Sequence, residues 1–340
     1  MTETISTDVA IIGAGPVGMF AVFELGMLDL RAVLVDALDH AGGQCTALYP
    51  EKPIYDIPAH PAVSAADLIA SLEAQIRPFA APRLMGRRVE RMAGGPGDFT
   101  LETDRGETVR AGAVIIAAGA GAFGPNRPPL AGLAEYEATG AVRYYVRRRE
   151  ELRGKRVVIA GGGDSAVDWA LALREVAASV SVVHRRERFR AAPESAARLA
   201  AAAAAGEVAM AIPYQLHALR GCGGVLEAVE IVDLDGRGRE IPADVLLAFF
   251  GLATDLGPIA HWGLALEQHR LAVEPATCAT SLPGVFAIGD VAHYPGKLKL
   301  ILQGFAEAAV AAHAIHPIVR PGTALHFEYS TTRGVPHPAG

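Results

Sequence analysis

At 340 residues the chain is long enough for two domains, each with a core of its own. Its 51% hydrophobic and 20% charged residues and its 37 glycines suit an α/β protein, and a net charge of −6 argues against a general nucleic-acid binder. The three cysteines, Cys45, Cys222 and Cys278, are scattered and form no C-x-x-C pair, which excludes a disulfide framework, and no metal site is expected. The start, Met1-Thr2-Glu3-Thr4, lacks the basic and apolar regions of a signal peptide, and no apolar run reaches the roughly 18–20 residues that span a bilayer, so a cytoplasmic protein is expected.

In chain order, Asp8-Val9-Ala10-Ile11-Ile12 reads as a short apolar strand. It runs into the turn Gly13-Ala14-Gly15-Pro16-Val17-Gly18 and a helix reaching about Leu25. A further strand covers Ala32 to Val35, and Gly94-Gly95-Pro96-Gly97 reads as a hairpin turn. Val114 to Gly119 closes this first unit, and Asn126-Arg127-Pro128-Pro129 is irregular linker. Then the plan repeats. Arg156-Val157-Val158-Ile159-Ala160 leads into Gly161-Gly162-Gly163-Asp164-Ser165-Ala166, a helix to about Leu173 and a strand from Val180 to Val183. Ala200 to Ala205 is strong helix former capped by Gly206, with no chemistry implied, and Asp235 to Gly238 is a second hairpin turn. Val245 to Phe250 closes the second unit at Gly251, and Thr280 to Asp290 adds a turn, a buried strand and a glycine–acid pair.

Strand, glycine turn and helix together suit the pyrophosphate of a dinucleotide. The first glycine permits the tight turn, the second lets phosphate approach the backbone, and the third position must be small for the helix to pack. Free amides at the helix start and the helix dipole hold the anion. One such turn is weak evidence; two in the same context are much stronger. The first site uses Gly13, Gly15, Pro16 and Gly18, the second Gly161, Gly163, Asp164, Ser165 and Ala166.

The end of the following strand separates a bare ribose from a 2′-phosphate. Asp36 lies 23 residues after Gly13, where a carboxylate accepts bonds from ribose hydroxyls and repels phosphate. The equivalent position after Gly161 is His184, followed by Arg185 and Arg186, whose guanidinium groups match phosphate. That asymmetry favours FAD in the first site and NADPH in the second. The plainer readings are a strand-end turn for Asp36 and a solvated charged face for the basic triplet.

With these stretches, and with Gly42-Gly43-Gln44, Leu48-Tyr49-Pro50 through Tyr55-Asp56-Ile57-Pro58, Gly289-Asp290 and Tyr294-Pro295-Gly296-Lys297-Leu298-Lys299, nearly the whole chain resembles the ferredoxin/flavodoxin–NADP⁺ reductases of the thioredoxin-reductase-like type. The resemblance implies an α/β fold of two Rossmann-like dinucleotide-binding domains, the NADPH domain inserted in the FAD domain. The expected bounds are 1–119 and 283–340 for FAD and 120–282 for NADPH. It also implies that Gln44 contacts FAD, Tyr49 stacks on one flavin face and Tyr329 on the other. Val89 and Phe123 are expected to line the site, Asp290 to lie near the ribityl chain and Thr331 near the flavin. For Tyr49, Phe123 and Tyr329 the alternative is plain packing, and for Val89 a main-chain role. Cys45 reads as a packed small residue.

Thioredoxin reductases carry a redox C-x-x-C before the second turn; here Val142-Arg143-Tyr144-Tyr145-Val146-Arg147 has no cysteine. Electrons are therefore expected to leave from the flavin edge, with no catalytic side chain beyond the stacking tyrosines. The implied partner is ferredoxin or flavodoxin, met transiently by a homodimer. The alternatives are an NADPH-dependent reductase of quinones, free flavins or another small acceptor, and a non-catalytic flavin-binding sensor. Arg147-Arg148-Arg149 with Arg153, Lys155 and Arg156, and Lys297 with Lys299, are candidate docking cations; the other readings are a solvated face and, for the lysines, a structural role near the flavin.

Overall fold

The computed structural model describes residues 4–325 and 330–335. Strand β1 (Thr4–Ile12) has its inner residues Val9, Ala10 and Ile11 wholly buried, as suits a strand covered on both faces. It pairs in parallel with β2 (Ala32–Asp36) on one side and with Thr108–Ile116 on the other. The seven-stranded sheet runs Arg83–Met85, β2, β1, Thr108–Ile116, Asp98–Thr103 and Val89–Gly95, and Val285–Ala287 joins Thr108–Ile116 in parallel. The turn expected at 94–97 links the antiparallel strands Val89–Gly95 and Asp98–Thr103.

One face of this sheet is covered by helices α1 (Pro16–Met27) and α3 (Ala65–Ile76) and by the long α7 (Ile301–Val319). Between α1 and α3 in sequence lies the short α2 (Gln44–Ala47). Ser64 caps α3 by accepting from the Asp67 amide. In the other unit a five-stranded parallel sheet runs Val142–Arg143, Val245–Phe249, Arg156–Gly161, Ser179–Val183 and Ala209–Ala211. Helices α5 (Asp164–Leu173) and α6 (Pro193–Ala204) bury one of its faces. The opposite face carries α4 (Leu133–Thr139) and an antiparallel meander of Gln215–Cys222, Val225–Val232 and Gly238–Pro242, with the expected turn at 235–238.

The chain divides into Met1–Phe123 with Thr254–Gly340, and Gly124–Ala253. The inserted unit is thus shorter than the expected 120–282, and the return comes at 254 rather than 283. Burial explains the difference. Ile259, Leu264 and Leu271 pack in the same core as Val109, Phe99 and Val285, and the Trp262 indole donates to the Glu90 carbonyl at 3.3 Å. Residues between 254 and 282 have too few strand-length apolar runs to announce that membership.

The return is also tied electrostatically. Arg320, just past α7, donates Nη1 to Asp8 Oδ1 at 2.8 Å and Nη2 to Oδ2 at 2.9 Å, and Asp8 also accepts from the Arg31 amide. Burial alone would raise the Asp8 carboxyl, but these bonds outweigh it and hold it below its ordinary value. Its stabilisation is complete above the ordinary carboxylate range and disappears as pH falls through the lowered folded value. Arg320→Ala is therefore expected to cost about 2 kcal/mol at pH 7, because it strands a largely buried carboxylate. Unfolding curves of wild type and variant, compared from pH 7 downward, should converge once Asp8 is protonated in both.

Candidate functional site: two glycine turns with opposite chemistry

The first turn is built on contact distance. Gly13 sits at φ +112°, and a Cβ there would stand 2.3 Å from the Ala117 carbonyl oxygen. A Cβ on Gly18 would stand 1.9 Å from the Gly13 carbonyl oxygen, so α1 can approach β1 only with glycine at both places. Gly15, by contrast, faces open space and heads α1 with no side chain capping it, and Pro16 takes the first helical position. The uncapped helix start and the open space before it fit a pyrophosphate.

Three segments close around that turn. Asp36, at the end of β2, accepts the Ala14 amide at 2.6 Å and the Leu38 amide at 2.8 Å. Burial pushes its carboxyl up, opposed by those two bonds. Each carboxylate oxygen keeps a second lone pair, so the turn-holding role leaves room for a ribose hydroxyl. The Gly42 amide donates to the Ala14 carbonyl at 2.8 Å, and a Cβ on Gly43 would come within 3.1 Å of the Gly15 Cα. This contact brings Gln44, the first residue of α2, beside the turn. Tyr49 follows one turn later, with Cys45 Sγ 3.9 Å from its hydroxyl. Burial pushes the Tyr49 phenol well up, and the charges of Cys45 and Asp290 add to this, which puts Asp290 electrostatically near Tyr49. Burial likewise raises the Cys45 thiol, in line with a packing role.

The remaining expected FAD residues divide. Val89 is 3% exposed and packs in the core, so only its main chain is available to a ligand. Thr331 is exposed in the short helix α8 (Ser330–Arg333). Phe123 belongs to the strand Ala122–Pro125; its side chain, like the whole of Tyr329, lies outside the described residues.

The second turn uses the same geometry with a different filler. A Cβ on Gly161 would stand 2.7 Å from the Phe249 carbonyl oxygen and 3.1 Å from the Ala166 Cβ, so the small side chain at 166 suits the close approach. Gly163 faces open space ahead of α5, which has no side-chain cap. At Gly162 a Cβ would strike the His184 ring, 2.1 Å from Cε1. His184 is buried, packs at a tilt against the Phe189 ring with centroids 5.0 Å apart and has a lowered pKa, first through burial and also through Arg190, Arg185 and Arg186. A neutral buried ring is a floor for the turn and a poor phosphate ligand. Arg185 and Arg186 are exposed, as is Ser165 on α5. Asp164 spends one oxygen on the Ala192 amide at 2.8 Å.

Arg190 escaped the sequence reading. Its amide donates to the Gly162 carbonyl at 2.7 Å, and its charge is felt at His184 ahead of Arg185 and Arg186. The Phe189 ring beside it anchors the loop, but nothing in the spacing of an arginine-rich run distinguishes the arginine that folds back.

The candidate docking cations are largely spent. Arg148 pairs with Glu151, which Arg143 also meets, Arg149 with Glu175, Arg153 with Glu150, and Arg156 with Asp244, while Lys155 is exposed. Arg147 instead lies over the Tyr145 ring, 5.5 Å from its centroid. Lys297 is sealed against Glu307, so the surface reading of that lysine is replaced by an internal one; Lys299 is exposed.

Two dinucleotide turns, one finished by a carboxylate and the other ringed by arginines, define a two-dinucleotide flavoprotein oxidoreductase that uses FAD and NADPH. Residues 7–314 match the family model described as pyridine nucleotide-disulphide oxidoreductase. A protein of Acidiphilium cryptum named ferredoxin–NADP reductase is 72% identical over 99% of both chains, and one of Anaplasma marginale with the same name is 50% identical over 96% of this chain and 99% of that one. Among solved structures, thioredoxin reductases of T. acidophilum (TM-score 0.79, 23% identity, 92% and 98% of the two chains) and Lactococcus lactis (0.78, 22%, 92% and 99%) share the fold. The chain belongs to the pyridine nucleotide-disulphide oxidoreductase family.

If the exposed arginines hold the 2′-phosphate, the double variant Arg185→Ala/Arg186→Ala is expected to raise KM for NADPH by about 10–100-fold, as fits the loss of charge-assisted bonds. KM for NADH and the flavin absorbance should stay as in wild type. Steady-state kinetics with both nucleotides make the check; equal losses for NADH and NADPH would remove the arginines from phosphate recognition.

Proposed function

We propose that the chain is a ferredoxin/flavodoxin–NADP⁺ oxidoreductase that moves electrons between NADPH and a one-electron carrier protein through FAD, without a dithiol relay. The observation that carries this reading is the pairing of two intact dinucleotide turns with the absence of a C-x-x-C from the sequence. The names of the relatives at 50–72% identity support it. When bound, FAD supplies the exchange between a hydride pair and single electrons.

The chain's own residues bind and orient. The Gly13–Gly18 turn and the start of α1 take the FAD pyrophosphate, Asp36 takes the ribose, and Gln44 lies where the backbone crosses Gly15. Tyr49 covers a flavin face as a protonated phenol, and Asp290 faces the ribityl chain. Tyr329, Phe123 and Thr331 complete the flavin surroundings in this reading. The Gly161–Ala166 turn takes the NADPH pyrophosphate over the His184 floor, with Arg185, Arg186 and Arg190 around the 2′-phosphate. No side chain is needed as acid or base for a direct hydride transfer, so positioning is the whole of the protein's part.

The test is anaerobic reduction of the yellow protein by NADPH, followed by rapid mixing with ferredoxin, flavodoxin or a quinone. Fast flavin reoxidation by a carrier protein, slowed by salt, is the expected result. Because most arginines between 143 and 156 already face carboxylates, the salt effect should be modest. Reoxidation by the quinone alone would transfer the function to a small acceptor.

A homodimer belongs to the same reading. Leu302, Ala306 and Val310 form an exposed apolar stripe at helical spacing along α7, beside the Phe20–Phe305 ring contact. A second copy covering that stripe accounts for it. Light scattering should give a dimer for wild type and a monomer for Leu302→Asp/Val310→Asp, with FAD retained in both. The scattered, unpaired cysteines fit a reducing cytoplasm, and among the described residues no helix is long and apolar enough to cross a membrane.

A further inference from the structure

Beneath the Gly289–Asp290 turn lies a buried ion pair. The side chains of Lys297 and Glu307 are 1% and 5% exposed, and Nζ lies 2.5 Å from Glu307 Oε1. The same oxygen accepts from the Tyr294 hydroxyl at 2.6 Å, while Oε2 accepts from the Gly289 amide at 2.7 Å. Gln303 donates to the Tyr294 oxygen at 2.6 Å. Burial and the bond to Glu307 push the Tyr294 phenol up to about 12, so at neutral pH it keeps its proton and stays a donor.

An apolar pair would bury the middle of α7 at no electrostatic cost, since removing two charges from water is expensive. What a carboxylate adds is an acceptor for the Gly289 amide. Gly289 stands at φ +74° and begins the single turn Gly289–Val291 that carries Asp290. A Cβ on Gly304 of α7 would stand 2.4 Å from Val17 Cγ2 and 3.3 Å from the Gly289 Cα. Gly289 is thus held between α7 and the first turn of α1, next to the phosphate-binding glycines. Asp290 in turn acts on Tyr49. One amide bond, from Gly289 to Glu307, sets a turn that packs against Val17 at the start of α1 and carries the Asp290 charge that bears on the Tyr49 phenol.

We infer that Glu307, neutralised by Lys297, is a positioning residue for FAD: it fixes the Gly289–Asp290 turn against α1, and Lys297 serves it from within the fold and takes no part in docking. This rests on the FAD assignment above. Lys297 is needed because a carboxylate left unpaired at this depth carries an uncompensated desolvation cost. Glu307 is needed because it is the acid that the Lys297 ammonium meets at this depth.

The test dilutes the holoenzyme and follows free-flavin fluorescence to give the FAD Kd, with Tm measured alongside. Glu307→Gln and Lys297→Met are each expected to raise the Kd at least tenfold. The double variant is expected to recover most of that loss, because the glutamine oxygen still accepts from Gly289 and no buried charge remains. Lys299→Ala, on the exposed neighbour, should match wild type. Wild-type Kd values in both single variants would overturn the inference, and so would FAD loss that follows Tm downward with no recovery in the double variant. If the charge variants do not fold, Tyr294→Phe keeps both charges and removes one bond; a several-fold weaker FAD affinity at wild-type Tm supports the inference, and unchanged affinity overturns it. A wild-type protein that holds no flavin would defeat the FAD assignment itself.

Discussion

Everything in the first unit hangs on how closely α1 is allowed to approach the end of β1. Gly18 lies against the Gly13 carbonyl and Gly13 against the Ala117 carbonyl, backbone to backbone, while Gly304 of α7 lets the Val17 side chain close in from the other side. Dispersion and burial reward such contact only if nothing protrudes. The consequence reaches outward: with backbones in contact, the free amides of the helix start are delivered to one point in space. Asp36 then tightens the point by holding the Ala14 amide, and the Gly42-Gly43 crossing lays α2 against it.

The second unit repeats the plan but finishes it differently. There Gly162, which stands where the first turn has Ala14, is forced by an imidazole ring, and the loop after the strand is folded back by the Arg190 amide. A half-buried acid stands at one strand end and a group of arginines at the other, so two turns of the same plan carry opposite charge beside them. A flavoprotein needs that difference, because it must keep one nucleotide and exchange the other.

The parts that were legible in the sequence are those where one residue type is the only one that fits. Both glycine turns, the strands before them and the acid at position 36 follow from sterics and spacing, and two hairpin turns follow from glycine density. Less legible was anything that depends on which way a side chain turns after the chain has folded. His184 and Arg185 are adjacent in sequence, yet one lies under the turn and the other in water, since successive residues at a strand end face opposite sides. Glu307 sits in an alanine-rich helix where a glutamate looks like solubilising decoration, and Lys297 looked like a docking charge; only the packing of α7 turns both inward. The return at residue 254 was hidden because Ile259, Leu264 and Leu271 enter the core singly, from a short 3-10 helix, a connecting stretch and a three-residue strand.

The three thiols differ in reach. Cys45 is 2% and Cys278 1% exposed, and burial drives both thiols upward, Cys278 to about 12. Cys222 is exposed at the end of the strand Gln215–Cys222, where two glycines make the hairpin to Val225. The molecule therefore offers one natural chemical handle, on the inserted unit and remote in sequence from every residue assigned to a nucleotide. A dye or spin label attached there reports on that unit alone, with no cysteine engineered in and none removed.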